Sequence, residues 1–296
     1  MSDIPAEGEL VIRKVPFEFD DDLDPVWNPG QREWSHMVNG ASLTMPYLEP
    51  FLIATLRDAT KSIDDEAVLE EARGFMGQEA QHYKTHRRYN ELLKANGYPE
   101  LAEVEEDMKR GYEKLRTRSL TYRLAYTAGF ETMTLGVTNW LVNERTKLFG
   151  GSDTRIASFI LWHFVEEAEH KRVAFDCYQA ACGDYLQRIL GLLTGSFHVF
   201  WWSRKGAVAM LKADGVWNNP RSRVRAWRRT AEFFAAIAPG LLRAMLPGHD
   251  PRDEPDPAWV RDWIAGYARA DNDAAPPLVD TDQADFGVPF AGQGAS

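Results

Sequence analysis

Two long stretches of this chain each hold a single carboxylate and no other charged side chain. Between Ser35 and Leu56, 22 residues, the only Asp, Glu, Lys or Arg is Glu49; between Leu124 and Asn143, 20 residues, it is Glu131. Both stretches repeat apolar residues at intervals of three and four, the spacing of a helix. An ionised carboxylate inside an apolar helix is costly unless it is paired, hydrogen-bonded or bound to a metal. Glu49 and Glu131 therefore need partners that their own segments do not contain.

Two further helical segments supply them. The run Gln78-Glu79-Ala-Gln-His82 and the run Glu166-Glu167-Ala-Glu-His170 each carry a Glu-x-x-His pair. Three residues at about 100° each put Glu and His on one helix face, one turn apart, within reach of a single ion. About 0.5 such pairs would arise by chance in this composition, and there are three. The third, Glu33 to His36, precedes the long helices and is read as the coincidence. The succession Glu, Glu-x-x-His, Glu, Glu-x-x-His on four successive helices is the ligand scheme of a carboxylate-bridged dinuclear centre. Glu49, Glu79, His82, Glu131, Glu167 and His170 are accordingly the expected ligands of two metal ions. Four carboxylates balance two divalent cations, and the mixed oxygen and imidazole set suits two iron ions, with manganese or a mixed iron/manganese pair next and zinc less suited.

Turn and cap signals divide the chain around this set. Residues 1–40 read as an arm with a β-like run from Leu10 to Val15, and residues 41–183 as the metal-binding bundle. The bundle has segments at about 43–62, 64–96, 119–148 and 153–183, with a charged crossover at about 99–117 between the second and third. This all-α order, two short links and one long helical crossover, is that of a ferritin-like four-helix bundle. Residues 184–270 read as additional C-terminal helices packed on the bundle, and 271–296, rich in Asp, Pro, Gly and Ala, as a disordered tail.

Residues next to the ligands extend the site. Gln78 and Glu166 are placed to reach the ring N–H of the His on the facing helix, a contact that fixes the tautomer, whereas Glu169 reads as solvated. His163 lies four before Glu167 and seven before His170, on the same stripe, and is expected as a third imidazole ligand. His86, four after His82, falls at the same level on the antiparallel second helix and is expected as ligand or proton donor. Cys177 shares the stripe of His170 but reads as small core packing.

The runs PYLEPFLIATLRDA, GQEAQHYKTH, GFETMTLG and WHFVEEAEHKRVAFD resemble the bacterial family of predicted metal-dependent hydrolases, over roughly residues 10–250. His163-x3-Glu167-x2-His170 is also similar to the ligand pattern of di-iron arylamine N-oxygenases, and that resemblance implies His163 as an additional ligand. The reading from the ligand set favours an O2-activating oxygenase or oxidase acting on an apolar or aromatic small molecule. The alternative is a metal-dependent hydrolase using a metal-bridged hydroxide; a ferroxidase or iron-binding protein ranks below both. No flavin, nicotinamide or iron–sulfur signature is present, so an oxygenase would take electrons from an external donor or from its substrate.

Composition narrows the partners. A net charge of −10 argues against nucleic acid. Cys177 and Cys182, five apart in a helical stretch, suggest no disulfide, and the first residues have neither a basic nor an apolar leader region, so the expected location is the cytoplasm. Residues 189–203 form a 15-residue uncharged run, ILGLLTGSFHVFWWS, flanked by Arg188 and Arg204. It is too short to span a bilayer. It reads either as a helix buried on the bundle or as an interfacial helix making peripheral membrane contact.

Overall fold

The computed structural model describes residues 10–270 and 275–290. The described residues contain no strand. The helices are α1 (Arg32–Ser42), α2 (Met45–Ala59), α3 (Glu66–Ala95), α4 (Leu101–Arg116), α5 (Leu120–Asn143), α6 (Arg145–Phe149), α7 (Thr154–Glu169), α8 (Val173–Ala181), α9 (Tyr185–Ala213), α10 (Pro220–Ala244) and α11 (Ala258–Arg269). Their starts follow local chemistry. Asp65, Ser119, Asp153, Asp184 and Asn219 each accept a backbone N–H of the first turn that no helical carbonyl can reach. Gly97 (φ 117°) ends α3 and Gly183 (φ 65°) follows α8, in left-handed conformations that a side chain disfavours.

α2 packs on α3, α5 packs on α7 and α8, and contacts of α2 with α5 and α3 with α8 close the ring. α4 is the crossover that carries the chain from the end of α3 to the start of α5. The result is an all-helical bundle whose connection order is compatible with the ferritin-like arrangement. Leu48, Phe51, Leu52, Phe75, Leu124 and Phe130 fill its interior.

Four features differ from the sequence reading. The segment read as one helix over 153–183 breaks at His170–Arg172, so α7 and α8 are separate. No Gly or Pro marks the break; local propensity is overridden where the fourth element delivers His170 to the interior. α1 begins inside the segment read as an arm. The β-like run at Leu10–Val15 pairs with no strand; instead it lies against the bundle, with Val15 and Phe17 buried and the Phe17 ring 5.5 Å from that of Trp162. Finally, residues 275–290, read as disordered from their composition, lie against α7 and α11. Val279 N donates to Ser158 Oγ (2.8 Å), Trp259 Nε1 donates to the Phe286 carbonyl (2.9 Å), and Val279 and Phe286 are buried. A few apolar anchors suffice to order a polar tail when a groove is ready for them. The rest of the expected tail, 271–274 and 291–296, lies outside the described residues.

α9 docks on α5 and α1 almost backbone to backbone. A Cβ on Gly191 would stand 2.0 Å from the Ala125 carbonyl oxygen, and one on Gly40 2.1 Å from that of Ser203. Only glycine permits these approaches. The opposite face of α9 is open: Leu186, Leu190, Leu193, Phe197 and Trp201 form one exposed stripe at helical spacing. The uncharged run is thus half packed and half bare, and no described helix is long and apolar enough to cross a membrane.

Candidate metal centre

The four ring helices bring the expected ligands together. Glu49 comes from α2, Glu79 and His82 from α3, Glu131 from α5, His163 and Glu167 from α7, and His170 from the turn after it; none of the seven is more than 3% exposed. One oxygen or nitrogen from each of Glu79, His82, Glu167 and His170 falls in a set whose members all lie within 4.8 Å of one another, and Glu49, His82 and His163 form a second such set. His82 belongs to both, so the two sets adjoin. Glu131 Oε2 is 3.4 Å from His170 Nδ1, next to the first.

These residues are poor partners for each other. Both oxygens of Glu49, Glu79 and Glu131, Glu167 Oε2, His82 Nδ1 and both ring nitrogens of His170 are buried without a hydrogen-bond partner. Buried polar atoms are ordinarily satisfied, and orphans concentrated at one point demand an explanation. The charges say the same. Burial, then the neighbouring Glu79, pushes the Glu49 carboxyl well above its usual range; burial, then Glu167 and Glu79, does so for Glu131. Burial raises Glu167 as well, but His170, His163 and His82 outweigh it and bring it down to about 2. Cations between the carboxylates would remove the repulsion and satisfy the orphans, so the residues present fit bound metal.

Two of the three histidines, His82 and His163, are oriented from behind. His82 Nε2 donates to Glu166 Oε2 (2.8 Å), which leaves Nδ1 facing the cluster. Glu166 is itself held by Arg13 Nη1 and Trp162 Nε1, each at 3.1 Å. Burial works against ionisation of Glu166, but His82 and Arg13 prevail and hold its carboxyl below the usual range. The expected reach of Glu166 is therefore present. That of Gln78 is not: its Nε2 donates to the Val11 carbonyl and to Glu169 Oε2, both at 3.0 Å, and His170 has no bond behind it. Glu169, read as solvated, pairs with Arg13 (2.7 Å).

His86 is not part of either ligand set. It bonds His163 Nδ1 through Nε2 (2.9 Å) and Ser42 Oγ through Nδ1 (2.8 Å). Asn90 Nδ2 donates to the Ser42 carbonyl (3.0 Å), so its Oδ1 is left to accept from the Ser42 hydroxyl (2.7 Å). That hydroxyl can then only accept from His86 Nδ1–H. Burial, then His163 and His82, holds His86 neutral, far below its usual pKa; burial and His82 lower His163 despite Glu167. A neutral His86 with Nδ1–H must accept at Nε2, so His163 carries its proton on Nδ1 and presents a bare Nε2 to Glu167 Oε1, 2.9 Å away. Two lone pairs facing each other at that distance repel, and a cation between them would relieve the repulsion.

Arg13 and the Ser42–Asn90 pair were not foreseen. Arg13 sits in an arm with no periodicity to mark it, and a Ser and an Asn on separate helices give no signal until the fold joins them. Glu33, the discounted pair member, bonds Arg225 (2.7 Å), and its neighbour His36 bonds Asp214 (2.9 Å), both away from the centre. Cys177 is buried in the core and Cys182 is exposed, both as free thiols.

The sequence model of the family described as predicted metal-dependent hydrolase matches residues 11–255. The chain belongs to that family. The match takes in every residue of the cluster, the arm with Arg13, and α1 to α10, so the family's extent coincides with the bundle and the helices that wall it. No curated protein and no solved structure is significantly similar to this chain.

Proposed function

We propose that the chain is a two-metal hydrolase in which Glu49, Glu79, His82, Glu131, His163, Glu167 and His170 hold two divalent ions, iron or manganese by the donor set. The observation that carries this is the cluster of buried carboxylate oxygens and imidazole nitrogens with no partner but one another. Bound there, the ions would supply Lewis acidity and an activated water. The protein's residues do the remaining work. Glu166 and the Asn90–Ser42–His86 series hold His82 and His163 in the tautomers that direct a lone pair inward. His163 also lines an apolar cavity, whose walls would keep bulk water from the cluster.

Hydrolysis is the reaction that the family description supports. A second reading, oxidation of the substrate with O2 and electrons from an external donor, is favoured by one observation: the cavity that reaches His163 is walled by Phe, Met, Ile and Trp side chains, which suit an unactivated hydrocarbon or aromatic group as well as an ester. Reconstitution decides between them. A hydrolase cleaves p-nitrophenyl alkanoates anaerobically with redox-inert zinc or with manganese, and loses that activity in Glu131→Ala. Consumption of O2 by the reduced, iron-loaded protein, with no anaerobic ester cleavage under any metal, would transfer the assignment to oxidation.

The open apolar stripe of α9, four of whose five residues fall in the uncharged run 189–203, fits the second of the two readings of that run, peripheral attachment to a lipid surface. In this reading the same surface delivers an apolar substrate.

A further inference from the structure

Between α1, α5, α7, α9 and α10 lies a cavity of about 180 Å³. Its walls include Met37, Phe130, Met133, Ile160 and Phe233. They also include His163, buried within the cluster, and Trp227, which is 51% exposed, together with Trp217 and Arg204. The cavity therefore runs from the surface between α9 and α10 to the candidate metal centre.

Arg204 is unusual among the arginines of this protein. It is half-buried, its guanidinium lies 5.1 Å from the Trp227 ring and 5.7 Å from the Trp217 ring, and among the described residues no carboxylate stands within ion-pair distance of it. Glu100 and Glu103 line an adjoining groove with it, yet neither pairs with it. Other buried or half-buried arginines are matched: Arg13 by Glu166 and Glu169, Arg123 by Asp58, Arg229 by Glu232, Arg188 by two backbone carbonyls. Ring stacking engages the faces of a guanidinium and leaves its N–H edges free. Those edges match a planar oxyanion, which they can grip with two parallel bonds.

We infer that this cavity binds an anionic amphiphile, its acid group on Arg204 and its apolar body pointing at His163. The substrate class follows: a molecule whose reacting bond lies at the apolar end, remote from its acid group. The orientation rests on the proposed metal centre; the head-group preference does not. A carboxylate and a phosphate monoester share the required chemistry.

The test titrates decanoate, decyl phosphate, decanol and decylamine into metal-free and manganese-loaded protein, followed by calorimetry and tryptophan fluorescence. Decanoate or decyl phosphate should bind at least tenfold more tightly than decanol, decylamine weakest, in both forms; the tighter of the two anions names the head group. Arg204→Met should bring the anions level with decanol, and Arg204→Lys should keep part of the preference. Manganese should broaden the 13C signal of the bound chain's terminal methyl more than that of its head carbon. Equal binding of decanol and the anions, an unchanged preference in Arg204→Met, or greater broadening at the head carbon would overturn the inference. Failure to take up manganese, with the anion preference intact, would count against the metal centre and leave the head-group site standing.

Discussion

His86 Nε2 stands 2.9 Å from His163 Nδ1, and the bonds behind His86 decide which of the two carries the proton. The series begins at the Ser42 carbonyl, an acceptor that cannot change role, and ends at the bare Nε2 of His163. Removing Asn90 should reverse it. In Asn90→Leu the Ser42 hydroxyl is free to donate to His86 Nδ1, both imidazoles switch tautomer, and His163 Nε2 becomes protonated. The 15N shifts of labelled imidazoles in the metal-free protein should report the exchange, and metal affinity should fall about 10- to 100-fold. Unchanged shifts would mean that something other than this relay sets the His163 tautomer.

Arg13 joins the arm to the centre. Its guanidinium is buried against Glu166 and Glu169 and lies over the rings of Tyr267 (5.0 Å) and Trp263 (5.6 Å). Arg13→Ala leaves Glu166 charged, buried and short of a partner, a change that costs about 3–5 kcal/mol when a buried pair is broken. Urea unfolding of the metal-loaded protein measures it. A loss below 1 kcal/mol would show that Trp162 and His82 satisfy Glu166 unaided.

Much of this was legible in the sequence because the strongest constraints were local. Glu49 and Glu131 announced themselves by the absence of other charge around them, and the caps at Asp65 and Asp153 lay where the periodicity changed. What was not legible depended on chain segments meeting. The break after Glu169 sits in a run with good helical propensity, and Gln78 turns away from His170 because the arm offers it the Val11 carbonyl and Glu169. Residues 275–290 looked polar enough to stay free, but Val279 and Phe286 find sites prepared by residues more than a hundred and about thirty positions away, at Ser158 and Trp259.

A pH-dependent term resides at His198 on α9. Trp202 Nε1 donates to its Nε2 (2.8 Å), so Nδ1 carries the proton and donates to the Tyr126 hydroxyl (2.9 Å). Burial pushes this imidazole down to about 4 from its ordinary 6.5. The unfolded chain therefore takes up a proton at a higher pH than the folded one, and the stability it contributes is complete above about 6.5 and declines as pH falls toward 4. At pH 5 the decline should be roughly 1–2 kcal/mol. His198→Asn, compared with the parent by urea unfolding of the metal-free proteins at pH 7 and pH 5, should be less sensitive to acid by that amount. Equal sensitivity would show that His198 protonates without leaving its place.

The central claim is that Glu49, Glu79, His82, Glu131, His163, Glu167 and His170 together hold two metal ions, and elemental analysis of the purified protein and two variants tests it most directly. The parent chain should retain close to two equivalents of iron or manganese. Glu131→Ala should lose the pair, whereas Glu33→Ala, whose carboxylate bonds Arg225 away from the centre, should keep the parent's metal content. A parent chain that holds no metal after growth and reconstitution with iron and manganese, or equal loss in both variants, would contradict it.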